Sequence, residues 1–247
     1  MIKYNLIGLL IGLSSCGIYR QNVVNTPLME HKGQTQLSGH IGFTGLDGQA
    51  AYALTNKIVL LANYSDMGVK KQQYSSTNYE TWKHHFKEIG AGVYKKTTSG
   101  IIRKLFVFAG NGMTSHFVMG GNPTIGISST NQKVNYNRFV VQADFGNKNK
   151  KTELVISPRL LGVHYYNIID NARSDYQNLS NFHIYPEGAL TVRYPILKFL
   201  LISGQFCVTV PLTHPKEYNY YYEFSSFNAN IGLVLNMNLL KPNKLKR

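Results

Sequence analysis

The chain has 247 residues, 43% of them hydrophobic, which suits one large or two small domains and excludes a disordered class. Charged residues make up only 15%, against roughly 25% in ordinary soluble domains, and 17 Tyr stand beside 1 Trp, a balance that favours strands and polar loops over helices. Beyond the N-terminus no apolar run approaches the ~20 residues of a spanning helix, and a formal charge of +14 points to general basicity, nucleic acid or an anionic membrane surface.

In chain order, Met1 to Cys16 carries one basic residue, Lys3, then a short apolar core, then Leu13-Ser14-Ser15-Cys16. A basic start with an apolar segment too short to anchor reads as an export signal. Its last four residues resemble the bacterial lipobox, which implies a signal peptide over 1–15 and acylation (palmitate included) of Cys16. Cys207 is then left without a disulfide partner and reads as a small packing residue inside a strand. Residues 16–32 are irregular and contain Pro27; they read as a lipidated tether, followed by a barrel over 33–240 and a basic tail over 241–247.

Ten strands are expected, at 34–43, 48–55, 57–66, 84–96, 101–112, 134–146, 151–166, 182–194, 198–211 and 225–239. Most exceed the ~5–6 residues of an average strand and match the ~9–11 needed to cross a bilayer at a tilt. Successive side chains alternate between faces. In the sixth strand Asn137, Phe139, Val141, Ala143 and Phe145 oppose Tyr136, Arg138, Val140, Gln142 and Asp144. Short connections at 55–56, 97–100, 146–151 and 194–197 alternate with long ones at 67–83, 113–133, 167–181 and 212–224, except that the first connection, Thr44–Asp47, is also short. Even strand number with short turns at one end and long loops at the other is the pattern of outer-membrane barrels. The fold expected is therefore all-β: a single antiparallel, up-and-down transmembrane barrel of about ten strands, with eight and twelve as the neighbouring counts. Pro158 and Pro186 conflict with this, since each removes a ladder donor and implies a bulge, a break or a misplaced strand limit.

Cations gather at the short-turn end: Lys95, Lys96, Lys148, Lys150, Lys151, Lys244, Lys246 and Arg247, with Lys57, Arg103, Lys104 and Lys198 nearby. The long loops carry both signs and cancel. This basic belt suits a periplasmic rim resting on anionic headgroups, each Lys or Arg there worth about 1 kcal/mol. An exported chain without a recognition motif excludes nucleic acid as a partner. With polar faces inward, Glu88, Arg138, Asp144, Glu153, Arg159, Glu187 and Arg193 become lumen ion-pair candidates, either a closed plug or the lining of a narrow pore. No spacing of His or Cys supports a metal, and Gly112 to Gly126 lacks the Lys-Ser/Thr of a phosphate loop, so no cofactor is expected. Trp82, Tyr218, Tyr220, Tyr221 and Tyr222 concentrate aromatic groups at the long-loop end, as an interfacial girdle or as loop binding candidates.

Asn22 to Gly33, Gln49 to Lys57 and Leu60-Leu-Ala-Asn-Tyr64 resemble small outer-membrane β-barrel lipoproteins of Bacteroidota. The resemblance covers the first third well and the rest in layout. It implies location in the outer membrane of a Gram-negative bacterium, and fold, but not activity. Two features depart from the pattern: no terminal aromatic residue, and no acidic run after the cysteine, which favours a lipid in the periplasmic leaflet. The leading expectation is a barrel lipoprotein without catalysis, in a structural, accessory or loop-mediated binding role. Its partners would be outer-membrane lipid and another outer-membrane protein or a surface glycan. The alternatives are a narrow pore or small-solute transporter, and a periplasmic lipocalin-like barrel with apolar faces inward.

Overall fold

The computed structural model describes residues 21–72, 79–97, 101–122, 126–148, 152–171, 181–210, 212 and 227–240. Within them lie ten strands: β1 (Thr35–Gly42), β2 (Gly45–Ala53), β3 (Ile58–Gln72), β4 (Tyr79–Lys96), β5 (Ile101–Asn122), β6 (Gly126–Lys148), β7 (Glu153–Asp170), β8 (Asn181–Pro195), β9 (Leu200–Thr209) and β10 (Phe227–Asn236). Each pairs antiparallel with its neighbours in sequence, and β1 pairs with β10 to close one barrel. At the short-turn end the strand limits agree with the alternation pattern. At the other end they agree within two residues for β1 and β8 to β10 and depart further for β2 to β7.

There β3 to β7 run on through what composition marked as loops. The stretch 113–133, expected as one long connection, is a hairpin in which Met113 pairs with Asn135 and Asn122 with Gly126. The barrel is therefore a cylinder cut at a slant. Its low wall is β9, β10, β1 and β2, of 8–10 residues each; its high wall is β4 to β7, of 18–23 residues. A register shift between Lys133 and Asn135 puts an extra β7 residue into the high wall, where Asn167 takes φ 52°, a left-handed conformation that Asn tolerates.

Neither proline produces a bulge. Pro158 interrupts the β6–β7 ladder, which pairs Gln142 with Arg159 and Phe145 with Ile156 but omits the two positions between, while pairing with β8 continues across it. Pro186 lies just past the regular β8–β9 pairing, where its carbonyl accepts the Val210 amide and the Ile184 carbonyl accepts the Leu212 amide, so its missing N–H leaves out one bond near that end.

Alternation sets what faces where. Phe139, Val141 and Phe145 point outward, and Tyr136, Arg138, Gln142 and Asp144 inward. Inside, aromatic rings lie over cross-strand glycines: Phe108 opposite Gly90, and Tyr136 opposite Gly112. A Cβ on Gly112 would fall 2.3 Å from the Tyr136 ring. Gly112→Val is thus expected to destabilise the barrel by about 1–3 kcal/mol through overpacking, measured as a lower urea midpoint in detergent.

Candidate functional site

The inner wall collects the polar faces of the strands. Glu88, Arg138, Asp144, Glu153, Arg159, Glu187 and Arg193 all point inward and are buried. Charges removed from water cost several kcal/mol each unless opposite charges meet them, and here each has an opposite charge within 3.5 Å. Arg138 Nη2 lies 2.8 Å from Glu88 Oε1, and its Nε donates to the same oxygen at 3.1 Å. These two side chains sit on β4 and β6 and reach each other over Gly110 of β5, the register partner of both. Arg138 also stacks on Phe86, 3.9 Å from the ring centroid. Arg159 meets Glu187 at 2.9 Å and Arg193 meets Glu153 at 3.5 Å, each pair directly opposite across β7 and β8.

Asp144 is held by a residue that the sequence placed on the rim. Lys104 faces the lumen, fully enclosed, 2.9 Å from Asp144, its cross-strand neighbour. The period-2 parity of β5 would have shown this, since Ile102, Phe106 and Phe108 share the Lys104 face.

The lumen is not empty. Residues 21–32, expected as a tether outside the barrel, run through it. Gln21 to Met29 are all buried. The segment forms no strand, so its peptide groups depend on wall side chains. Gln205 grips Val24 twice, its Oε1 accepting the Val24 amide at 2.7 Å and its Nε2 donating to the Val24 carbonyl at 2.9 Å. Gln49 donates to Val23 O at 2.6 Å, Gln142 to Asn25 O at 2.9 Å, and Lys104 Nζ to Pro27 O. Arg138 Nη1 donates to Asn22 Oδ1 at 2.6 Å, Arg193 Nη2 to Thr26 Oγ1 at 2.7 Å, and Asn25 Nδ2 to Asn63 Oδ1 at 2.7 Å. Apolar sockets complete the fit: Val24 against Ala189 and Cys207, and Leu28 against Ile102 and Val155. Gly146 leaves the room that Leu28 fills, since a Cβ there would stand 2.6 Å from Leu28 Cδ2. Three of the ion-paired cations thus also bind the segment, and the wall and its occupant form one polar network.

Above the segment, the inner face of the high wall is aromatic. His84 Nε2 and Tyr136 Oη are 2.7 Å apart, and the Tyr165 and Tyr185 hydroxyls 3.2 Å. Trp82, expected in a loop as a binding residue, is on β4. It is buried, stacked 3.6 Å from the His116 ring, and donates from Nε1 to Glu80 at 2.8 Å. Tyr218, Tyr220, Tyr221 and Tyr222 lie outside the described residues. Of the basic belt, Lys95 and Lys96 are at the short-turn rim, Lys148 is described by its backbone alone, and Lys150, Lys151, Lys244, Lys246 and Arg247 lie outside the described residues, as does Cys16. Lys96 pairs with Glu30 at 3.1 Å. A cleft of about 700 Å³ opens beside it, with Lys57, Lys95 and Arg103 next to outward-facing Val93 and Leu105.

No protein-family model and no curated protein matches the chain. Among solved structures it is similar to the translocator domain of the autotransporter NalP from Neisseria meningitidis, at 12% identity and a TM-score of 0.47, over 82% of this chain and 86% of that one. It is also similar to CarO of Acinetobacter baumannii, at 10% identity and a TM-score of 0.30, over 83% and 97% of the two chains. A third similar structure is OmpT, an outer membrane protein of Vibrio cholerae, at 10% identity and a TM-score of 0.27, over 82% and 95%.

Proposed function

We propose that the chain is an outer-membrane β-barrel lipoprotein, closed by its own N-terminal segment, with a structural, accessory or loop-mediated binding role and no catalysis. The observation that carries this is where the polarity lies: the buried charge and amide groups line the bore beside aromatic and aliphatic side chains, while large apolar groups are exposed all around the outside. Ile89 is 71% exposed and Phe139 58%, in a belt with Leu105, Val107, Leu160 and Ile231 around the barrel. A contiguous exposed apolar surface of that kind marks contact with lipid or protein, and strands of 8–10 residues in the low wall match the ~9–11 that cross a bilayer. Solubility is the test. The protein is expected to require detergent and to migrate differently on gels before and after heating; a Cys16→Ala protein that stays soluble and monomeric without detergent would sink the proposal.

Of the alternatives, the lipocalin-like barrel would keep its large apolar side chains inside around a ligand, and here a belt of them is exposed outward while residues 21–29 fill the bore. A narrow pore is disfavoured by residues 21–29, which occupy the bore and use its polar groups.

The rim supplies the lipid partner of this proposal. Lys95 and Arg103 are directly opposed across β4 and β5 and both exposed, and like charges so placed repel unless an anion lies between them. Val93 and Leu105, the next outward pair, offer an acyl chain its first contact. Lys95→Glu with Arg103→Glu is expected to weaken retention of phosphatidylglycerol relative to phosphatidylethanolamine in native mass spectrometry, by about 1 kcal/mol per charge or more. Equal retention by wild type and variant would remove the belt from the reading. The Tyr-rich loop at 218–222 remains the proposed contact for a surface glycan or another outer-membrane protein.

A further inference from the structure

We infer that Cys16 lies on the long-loop side of the membrane, so that its lipid enters the outer leaflet beside the low wall rather than the periplasmic leaflet. The lipid itself rests on the acylation proposed above; the side on which Cys16 lies rests on the path of residues 21–32.

That path is fixed by a staircase of contacts. Down β6 toward the short turns, Arg138 meets Asn22, Gln142 meets Asn25, and Gly146 meets Leu28. Up β9 toward the long loops, Gln205 meets Val24 and Thr209 meets Gln21. Both strands give the same direction. At the lower end, Glu30 pairs with Lys96 and the Lys32 amide donates to Asn56 in the β2–β3 turn, so this end is at the short-turn rim. At the upper end, Asn228 of β10 donates both to Gln21 O at 3.4 Å and to Thr44 Oγ1 at 3.0 Å, and Thr44 is in the β1–β2 turn. Gln21 therefore stands level with the top of the low wall.

Distance then decides the leaflet. Cys16 precedes Gln21 by five residues, a reach of at most ~18 Å, and the hydrocarbon core is ~30 Å thick. The way back through the bore is taken by the segment itself. The periplasmic leaflet is out of range. The outer leaflet is near, since the low wall ends at Phe43 and Phe227, which touch edge to face with ring centroids 6.1 Å apart and are exposed outward at the height where the chain emerges. The even strand count sends Thr35 and Asn236 to the short-turn end, but the residues before Thr35 cross once more, so the two ends of the described chain lie on opposite sides.

The test uses the full chain in cells, with an epitope inserted between Gly17 and Ile18 and, separately, after Arg247. The first epitope is expected to bind antibody equally in intact and permeabilised cells, and the second only after permeabilisation. An Asn25→Cys, Asn63→Cys pair in a Cys207→Ala background checks that the segment is seated without relying on an insertion; it is expected to form a disulfide in the bore. Metabolic labelling with alkyne-palmitate, lost in Cys16→Ala, reports the lipid separately. An exposed first epitope without label upholds the side and removes the acylation. A first epitope reached only after permeabilisation, or failure of the cysteine pair to join, overturns the inference.

Discussion

Arg138→Met is expected to lower barrel stability by about 3–5 kcal/mol, the scale of breaking a buried pair by removing one partner. Arg138 has no solvent exposure, and its loss strands the Glu88 carboxylate between Asn63 and Phe86 while releasing Asn22 of the segment. Urea titration in detergent, followed by the heat-modifiable gel shift, measures it. Adding Glu88→Met should recover most of the loss, because the larger part is the cost of an unmet charge and not the worth of the pair. Lys96→Met provides the contrast. Its pair with Glu30 is half exposed on the Lys side, so its removal is expected to cost less than about 1 kcal/mol. If Arg138→Met proved as mild as Lys96→Met, the lumen would be wet and the network would not be what holds the segment.

Replacing residues 21–29 by a Gly-Ser run of equal length is expected to have the second large effect, on conduction. Wild-type protein in a planar bilayer should pass no steady current. The variant should show discrete current steps, because Gln49, Gln142, Gln205 and Arg193 lose their partners in the segment and water takes the vacated bore. Each wall group so released costs about 1–3 kcal/mol where water cannot reach it, so the variant should also unfold at lower urea. Steady current through the wild type would instead revive the narrow-pore reading, with the segment as a lining and not a stopper.

What the sequence discloses and what it hides follow from the range of each interaction. Strand faces depend on neighbours two residues apart, so the split of Phe139 and Val141 from Arg138 and Asp144 is visible without a structure. Short turns likewise carry local chemistry, which is why the strand ends near them were found. The upper reaches of β4 to β7 are different. Met113, Thr114, Ser115 and His116 show no apolar face, since the inward Thr114 is a polar residue buried between His84 and Val134, and alternation disappears although the ladder continues. Trp82, buried on β4 opposite His116, lies in the same stretch, where the pattern offers no face to read. The segment 21–32 is hidden more deeply. Asn22-Val-Val-Asn-Thr-Pro27 has no period, since successive residues answer different strands, and with Gln21 the partners are up to 207 residues away. Pro158 in a strand pattern implies a bulge, a break or a misplaced limit alike, and only the structure shows a break, absorbed by forgoing two positions on one side.

The threaded segment also imposes an order on folding. A barrel that has already joined β1 to β10 admits its own N-terminus only end-on, whereas an open sheet can be laid around it. Gln21 reaches Thr209 and Asn228, so the chain must be almost complete before its first described residues find their places. Contacts of such sequence separation slow folding, because the loop entropy is lost before the contacts form. The same arrangement works in reverse once β1 and β10 have closed. The segment then leaves only by sliding lengthwise with all its hydrogen bonds broken together, or by the barrel opening. The molecule is therefore expected to be slow to assemble and slower to come apart, with a lifetime set by the unfolding barrier more than by equilibrium stability.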